Sequence, residues 1–159
     1  MSTDSPDYIR DLRALIGHRP VNLMGVSGLV LNERGELLLQ RRVGTQYWSV
    51  LGGICELGEA PEDTLRRELR EEAQIEVQRA ELLTVLGGPE HHHLLANGDE
   101  FYSYSAVYAV RQWSGTPTPD GVEGAELRFF GWDALPARMG PVGRRARELL
   151  GASPPPGAD

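Results

Sequence analysis

The chain has 159 residues, 40% of them hydrophobic, one cysteine and a formal net charge of −7. It is long enough to bury a core without disulfides or a structural metal, and a lone thiol, Cys55, excludes an intrachain disulfide framework. The acidic balance argues against a nucleic acid polymer as partner, and no apolar run reaches the length of a membrane span.

The polar, acidic start Met1–Asp7 is unlike a secretory signal and, with the single thiol, leads to a cytoplasmic expectation. Tyr8 to Ile16 reads as a short amphipathic helix with Tyr8, Leu12, Leu15 and Ile16 on one side and Gly17 as its stop. Residues 1–20 are thus expected to be a helical arm, 21–150 the main domain and 151–159, rich in Pro, Gly and Ala, a disordered tail. Val21 to Leu31 is strand-like, Asn32 to Gly35 a hairpin turn, and Glu36 to Arg42 the next strand, ending in Gln40-Arg41-Arg42. Tyr47 to Leu51 leads into the Gly52-Gly53 loop, and a helix follows. Glu76 to Leu86, Phe101 to Trp113 and Glu126 to Trp132 are further strands, the second of them central, and Gly143 to Leu150 closes the domain as a helix. Strands, an inserted helix, more strands and a closing helix indicate an α+β layered fold.

The helix after Gly53 carries Glu68, Glu71 and Glu72 at i, i+3 and i+4, which places three carboxylates on one face. Like charges at that spacing repel unless a cation sits against them. Hard oxygen ligands converging on one spot suit Mg²⁺ or Mn²⁺, and such ions commonly serve polyphosphate chemistry. A substrate of polyphosphate character would itself need bridging cations on a chain of this charge. Leu65, Leu69 and Ala73 form the apolar stripe that docks the helix, and Arg67 lies nearest Glu71. Taken alone, the triad reads more readily as an acidic solvated surface helix with ion pairs.

The loop and spacing change that balance. Gly53, five residues, Glu59, seven residues, then Arg67-Glu68-Leu69-x-Glu71-Glu72-x-Gln74-Ile75 resembles the Nudix box, with Gln74 where the family has glycine. The resemblance covers roughly Val21 to Pro136 and implies the Nudix fold, a mixed β-sheet sandwiched between helices (an α/β/α sandwich). It implies a pyrophosphohydrolase with two to three Mg²⁺ or Mn²⁺ ions held by Glu68, Glu71, Glu72 and the Gly53 carbonyl. It further implies Glu68 as first choice of general base, Glu71 as second, and Arg67 orienting the glutamates together with Glu59. The implied substrates are nucleoside diphosphates linked to another group: nucleoside triphosphates including oxidised guanine nucleotides, or dinucleoside polyphosphates. ADP-ribose or a nucleotide sugar is the rival substrate class, and a non-catalytic nucleotide sensor is the rival of another kind. The string Tyr8 to Pro20 resembles the lead-in of small bacterial relatives, many of them dimers, which leads to an expected homodimer.

Other residues carry weaker signals. Arg41, Trp48, His92 and Glu123 are candidate substrate contacts. Trp48, Tyr102, Tyr104 and Phe129 are candidates for a nucleobase wall, although aromatics in strands are more often core. Glu123 and Glu126 precede Arg128-Phe129-Phe130-Gly131-Trp132, where the resemblance implies an acidic residue near the metals, and each is an extra ligand or base, or equally a solvated loop glutamate. His91-His92-His93 reads as a substrate-side or plain surface loop, since adjacent histidines of a strand point to opposite faces and do not ligate one ion. Pro89, fifteen residues beyond Gln74, resembles a feature of ADP-ribose-cleaving relatives.

Overall fold

A computed structural model describes residues 7–151. The expected tail therefore falls, apart from Gly151, outside the described residues. The elements in chain order are α1 (Tyr8–Ile16), β1 (Val21–Val30), β2 (Leu37–Arg42), β3 (Trp48–Ser49), β4 (Leu51–Ile54), α2 (Pro61–Ala73), β5 (Glu76–Leu86), a 3₁₀ turn (Pro89–His91), β6 (His92–Leu94), β7 (Glu100–Ser114), β8 (Gly124–Phe130) and α3 (Pro141–Leu149).

The strands form two sheets. The larger is ordered β4-β1-β7-β5, with β6 also on β7, and the smaller is β3-β2-β8. β1 runs parallel to β7 from Val21↔Phe101 to Val30↔Val110, while the other pairs are antiparallel. β7 is central, as its run of β-formers indicates. β5 and β6 both pair along the same edge of β7, which β5 leaves at Leu86↔Ser105 and β6 rejoins at His92↔Tyr102. Residues 87–91 bridge the gap. His92 and His93 thus lie in a strand, with His91 closing the 3₁₀ turn, where a loop was expected from sequence. A three-residue strand carries too little alternation to be read, and its pairing to β7 is what creates it.

Side chains alternate across each strand, so each sheet feeds two apolar layers. On one side Val26, Val30, Ala106, Tyr108 and Val110 meet Leu65, Leu69 and Ala73 of α2. On the other, Leu29, Val107, Leu37, Leu39, Trp48 and Phe130 meet Ala146 of α3. α2 lies close to β1 because Gly28 has no side chain: a Cβ there would stand 3.0 Å from Leu65 Cδ1 and 3.2 Å from Leu69 Cδ1. α2 begins with Pro61 and the acidic Glu62 and Asp63, which suit the positive end of the helix dipole. It ends at Gln74 in the left-handed region, φ 57° and ψ 36°. Gln74 N–H donates to Arg70 O at 3.0 Å, the bond a left-handed helix cap makes.

α1 starts on Asp7, whose side chain accepts from Arg10 N–H. Its Tyr8, Leu12 and Ile16 are half-buried, but Leu15 is 86% exposed, so the apolar side expected from sequence is not buried as a unit. Arg13 holds the arm down by donating to Arg19 O at 2.7 Å and to Glu100 O at 2.8 Å. Among the described residues no helix is long and apolar enough to cross a membrane.

Candidate active site

Four pieces of chain meet at the catalytic helix: the end of β4, the loop to α2, α2 itself and the loop before β8. Register places Gly53 opposite Val26 and Gly52 opposite Ser27 on the edge strand β4. The chain then turns through Glu56 to Glu59, whose N–H donates back to Glu56 O at 3.0 Å. Glu59 Oε1 accepts from Glu56 N–H at 3.1 Å and from the Thr64 hydroxyl at 2.6 Å.

Arg67 locks loop to helix. Its Nε and Nη2 grip Glu59 at 2.8 and 2.9 Å as a two-pronged pair, and Nη2 also donates to Ile54 O at 3.2 Å. Nη1 reaches Glu68 at 2.9 Å and Glu71 at 3.4 Å. Paired, bidentate geometry of this kind is stronger than an isolated surface contact. The Arg67 guanidinium holds the Glu59 carboxyl at about 2, well below its ordinary 4.5, and Glu59 raises Arg67 further into its charged form.

The three box glutamates differ sharply in setting. The Glu71 side chain is 60% exposed and the Glu68 side chain 14%, whereas Glu72 is 3% exposed overall. Burial raises the Glu72 carboxyl far above the carboxylate range; a hydrogen bond with Glu68 and the charges of Glu68 and Glu123 act the same way, opposed by a bond from Gly52 N–H. Burial raises Glu68 too, against Glu72 and Arg67. Burial thus holds Glu72 in its neutral, protonated form when no cation is present. This answers the repulsion that the sequence predicts.

These residues fit a divalent cation. All donors are oxygens, the hard set that Mg²⁺ and Mn²⁺ prefer. Glu72 Oε1 is buried with no hydrogen-bond partner, a costly state for an acceptor that serves nothing. The Glu68 carboxyl lies directly over Gly53, where a Cβ would come within 2.3 Å of its Cδ and Oε1. The carboxylates do not yet converge: among the described residues no three acidic, histidine or cysteine side chains are gathered as a ready-made ligand set. To hold one ion together, Glu71 would have to swing inward and Glu72 would have to give up its proton.

The remaining sequence candidates fall in different places. Glu123 is near enough to raise Glu72. Arg41, a candidate substrate contact, has its Nε 3.3 Å from Glu126 and donates from Nη1 to Thr45 O at 3.2 Å, so its guanidinium is already engaged. Glu126 is likewise taken by Arg41 and Arg128. Trp48 is corrected to a core residue: it is 6% exposed, edge-on to Phe130 at 4.9 Å, and covered by the Arg128 guanidinium at 5.3 Å. Phe129 stacks on Trp113. His92 pairs with Glu100 at 2.8 Å and leans on Tyr102, and Tyr104 stays partly exposed. Cys55 is half-buried against the α2 core layer. Sequence reasoning missed Thr64, whose hydroxyl holds Glu59 and which is legible as a hydroxyl in the opening turn of α2.

Comparison with known proteins agrees with this geometry. The NUDIX domain family matches residues 21–150, and the chain belongs to the Nudix hydrolase family. Enzymes of this family generally use divalent metal ions. Among solved structures, the MutT NUDIX hydrolase from Burkholderia pseudomallei is 27% identical with a TM-score of 0.68, over 82% of this chain and 98% of that one. A Bacillus subtilis (strain 168) protein, provisionally named ADP-ribose pyrophosphatase YjhB, is 29% identical over 117 residues, 74% of this chain and 54% of its own. The NAD-capped RNA hydrolase NudC of Pseudomonas putida (strain GB-1) is 42% identical over 127 residues, 78% of this chain and 42% of its own. The chain thus spans about half the length, or less, of these curated relatives. The α+β Nudix fold expected from sequence is the fold found.

Proposed function

We propose that this chain hydrolyses a pyrophosphate linkage in a nucleoside diphosphate joined to another moiety, using Mg²⁺ or Mn²⁺. The observation that carries this is the Glu68–Glu72 pair, buried beside Gly53 and clamped through Arg67 to Glu59. Glu68, Glu71, Glu72 and the Gly53 carbonyl would hold two to three ions. Bound there, such ions neutralise phosphate charge and lower the pKa of a coordinated water.

The chain's own residues then have distinct tasks. Glu68 takes the proton of the attacking water, because burial has already raised its basicity and Arg67 fixes its direction. Glu71, mobile and exposed, is the second choice. The water oxygen bonds to one phosphorus, the bond from that phosphorus to the bridging oxygen breaks, and two phosphate-bearing products leave. Glu59 is a poor proton acceptor, since its pairing with Arg67 holds its carboxyl at about 2.

Preferred substrates are nucleoside triphosphates, oxidised guanine nucleotides among them, or dinucleoside polyphosphates. ADP-ribose is the second reading, favoured by the name given to the Bacillus subtilis relative. The sensor reading loses its one support, because Gln74 still caps α2 in left-handed geometry and leaves the glutamates in register. A turnover screen across these classes with Mg²⁺ or Mn²⁺, repeated in excess chelator, tests the proposal. Cleavage undiminished by chelator, or no cleavage of any class, would defeat it. The homodimer is proposed with α1 at the contact, supported by Leu15 standing exposed on that helix. A monomer in sedimentation at micromolar concentration would dispose of it. A cytoplasmic location is proposed on the same sequence grounds as before.

A further inference from the structure

Among the described residues two side-chain atoms are buried without a hydrogen-bond partner: Glu72 Oε1, an acceptor, and Gln40 Nε2, a donor. The cation that the site fits accounts for the first. It does not account for the second. Gln40 is 4% exposed, and an amide donor shut away from water with nothing to bond is unfavourable enough to need a reason.

Gln40 borders the same site. On β2 it follows Leu38 on one face, and register sets it opposite Leu127 of β8 and Ser49 of β3. Leu38 and Leu127 belong to the apolar layer that receives Leu65 and Leu69 of α2, and Glu72 lies one turn beyond Leu69. Past Gln40 the ladder is irregular: Arg41 pairs with Glu126 and Arg42 with Gly124, so Ala125 is skipped as a β-bulge, a device common beside active sites. The bulge lays Gly124 on the Gln40 side chain, where a Cβ would stand 2.7 Å from Cγ and 2.8 Å from Cδ.

The residue before Gly124 is Glu123. Its backbone is pinned on both sides: its N–H donates to Asp120 Oδ1 at 3.0 Å, in a turn where Asp120 also accepts from Val122 and Gly124, and its carbonyl accepts from Val43 N–H at 2.9 Å. Its side chain is exposed and makes neither ion pair nor hydrogen bond among the described residues. Consecutive Cα atoms stand about 3.8 Å apart, so the Glu123 Cα is within about 8 Å of the Gln40 carboxamide, a span that one glutamate side chain and one hydrogen bond cover. An unpaired acceptor thus hangs within reach of an unpaired donor, and its charge already acts on Glu72.

We propose that Gln40 is a positioning residue: its amide donates to the Glu123 carboxylate once a divalent cation draws that carboxylate toward Glu68 and Glu72. The proposal rests on the metal-dependent reading above for its place in catalysis. Only the Glu123 side chain has to turn, since its backbone is fixed. Moving inward strips water from the carboxylate, and the Gln40 N–H replaces one of the hydrogen bonds lost. A donor behind a ligand in this way sets its direction and sharpens its hold on the ion.

Two measurements test it. Mg²⁺ is titrated by calorimetry into the full chain, into Gln40→Met, into Glu123→Ala and into the double variant. Methionine keeps the length and removes the donor, so Tm without metal should hold or rise, as expected when an unpaired buried donor is taken away. Mg²⁺ affinity should nevertheless fall about tenfold or more, the scale of a lost hydrogen bond behind a metal ligand. Glu123→Ala should weaken binding likewise, and the double variant no further than the weaker single one. In the second measurement the side-chain amide resonances of Gln40 are followed by NMR during the same titration. They should move saturably in the wild type and stay still in Glu123→Ala. Unchanged affinity in Gln40→Met, additive losses in the double variant, or an amide shift that persists in Glu123→Ala overturns the proposal. A fall in the metal-free Tm of Gln40→Met that matches its loss of affinity overturns it too, since packing alone would then explain both. Mg²⁺ binding with the amide shift but no turnover of any nucleotide upholds the pairing and defeats the hydrolase reading. Chelator-sensitive turnover without the amide shift does the reverse.

Discussion

Replacing Gln74 by glycine should stabilise the protein. Gln74 is the only non-glycine residue with positive φ among those described, at φ 57° and ψ 36°. A side chain in that region costs about 1–2 kcal/mol, because its Cβ crowds the following carbonyl. The Gln74 side chain is exposed, so its removal takes away little packing. Both cap bonds, Gln74 N–H to Arg70 O and Ile75 N–H to Leu69 O, are made by backbone and survive. Against the gain stands the greater freedom of glycine in the unfolded chain, on the order of 0.5–1 kcal/mol. The balance is about +0.5 to +1 kcal/mol, or roughly 2–3 °C in Tm for a domain of this size. Thermal unfolding of the metal-free protein reads it, with Gln74→Ala as control, since alanine keeps the Cβ and should gain nothing. A fall in Tm for Gln74→Gly, or an equal rise for alanine, would refute the strain argument.

Other outcomes follow from the site. Glu72→Gln should lower kcat at least ~10²-fold while leaving the fold intact, because glutamine mimics the protonated acid already present; wild-type turnover in this variant would show the ligand face to be misassigned. Gly53→Ala should displace the Glu68 carboxyl, given the 2.3 Å clash, and reduce kcat about as far with a small change in Tm. The Glu72 pKa is raised on folding, so the metal-free protein should be most stable below about pH 4.5 with respect to this group and lose that contribution as pH rises through neutrality; a Glu72→Gln variant should flatten the slope in a urea series. Mg²⁺ or Mn²⁺ binding should release a proton from Glu72, read by calorimetry in buffers of different ionisation enthalpy, and absence of proton release would contradict its protonated resting form.

The catalytic helix was legible because its physics is local. Period 3.6 separates Leu65, Leu69 and Ala73 from Glu68 and Glu71, and the spacing from Gly53 fixes the loop. What stayed hidden depends on partners distant in sequence. Nothing in the text of α2 separates Glu72, buried beneath Gly52 and near Glu123, from Glu71, which faces solvent. Alternation says that Arg41 and Arg42 face opposite ways, but only the pairing of β2 with β8 reveals that Glu126 claims Arg41. Trp48 looked available because an aromatic beside a glycine loop resembles a wall; its short strand instead tucks it against Phe130.

The shared edge of β7 has an evolutionary corollary. β5 and β6 lie end to end on one strand, and residues 87–91 leave the ladder and return to it. An insertion or deletion there lengthens or shortens only the excursion, since both flanking registers are anchored on β7. The turn between β6 and β7 is held instead by Asp99, which pairs with His18 at 2.8 Å and with Arg13 at 3.7 Å. If this excursion meets the linked moiety, as the proposed function would have it, selectivity can drift by changes in its length, while Glu59, Arg67 and the glutamates of α2 lie on the other side of β1, against β4. One scaffold can thus sample many clients with its chemistry held constant.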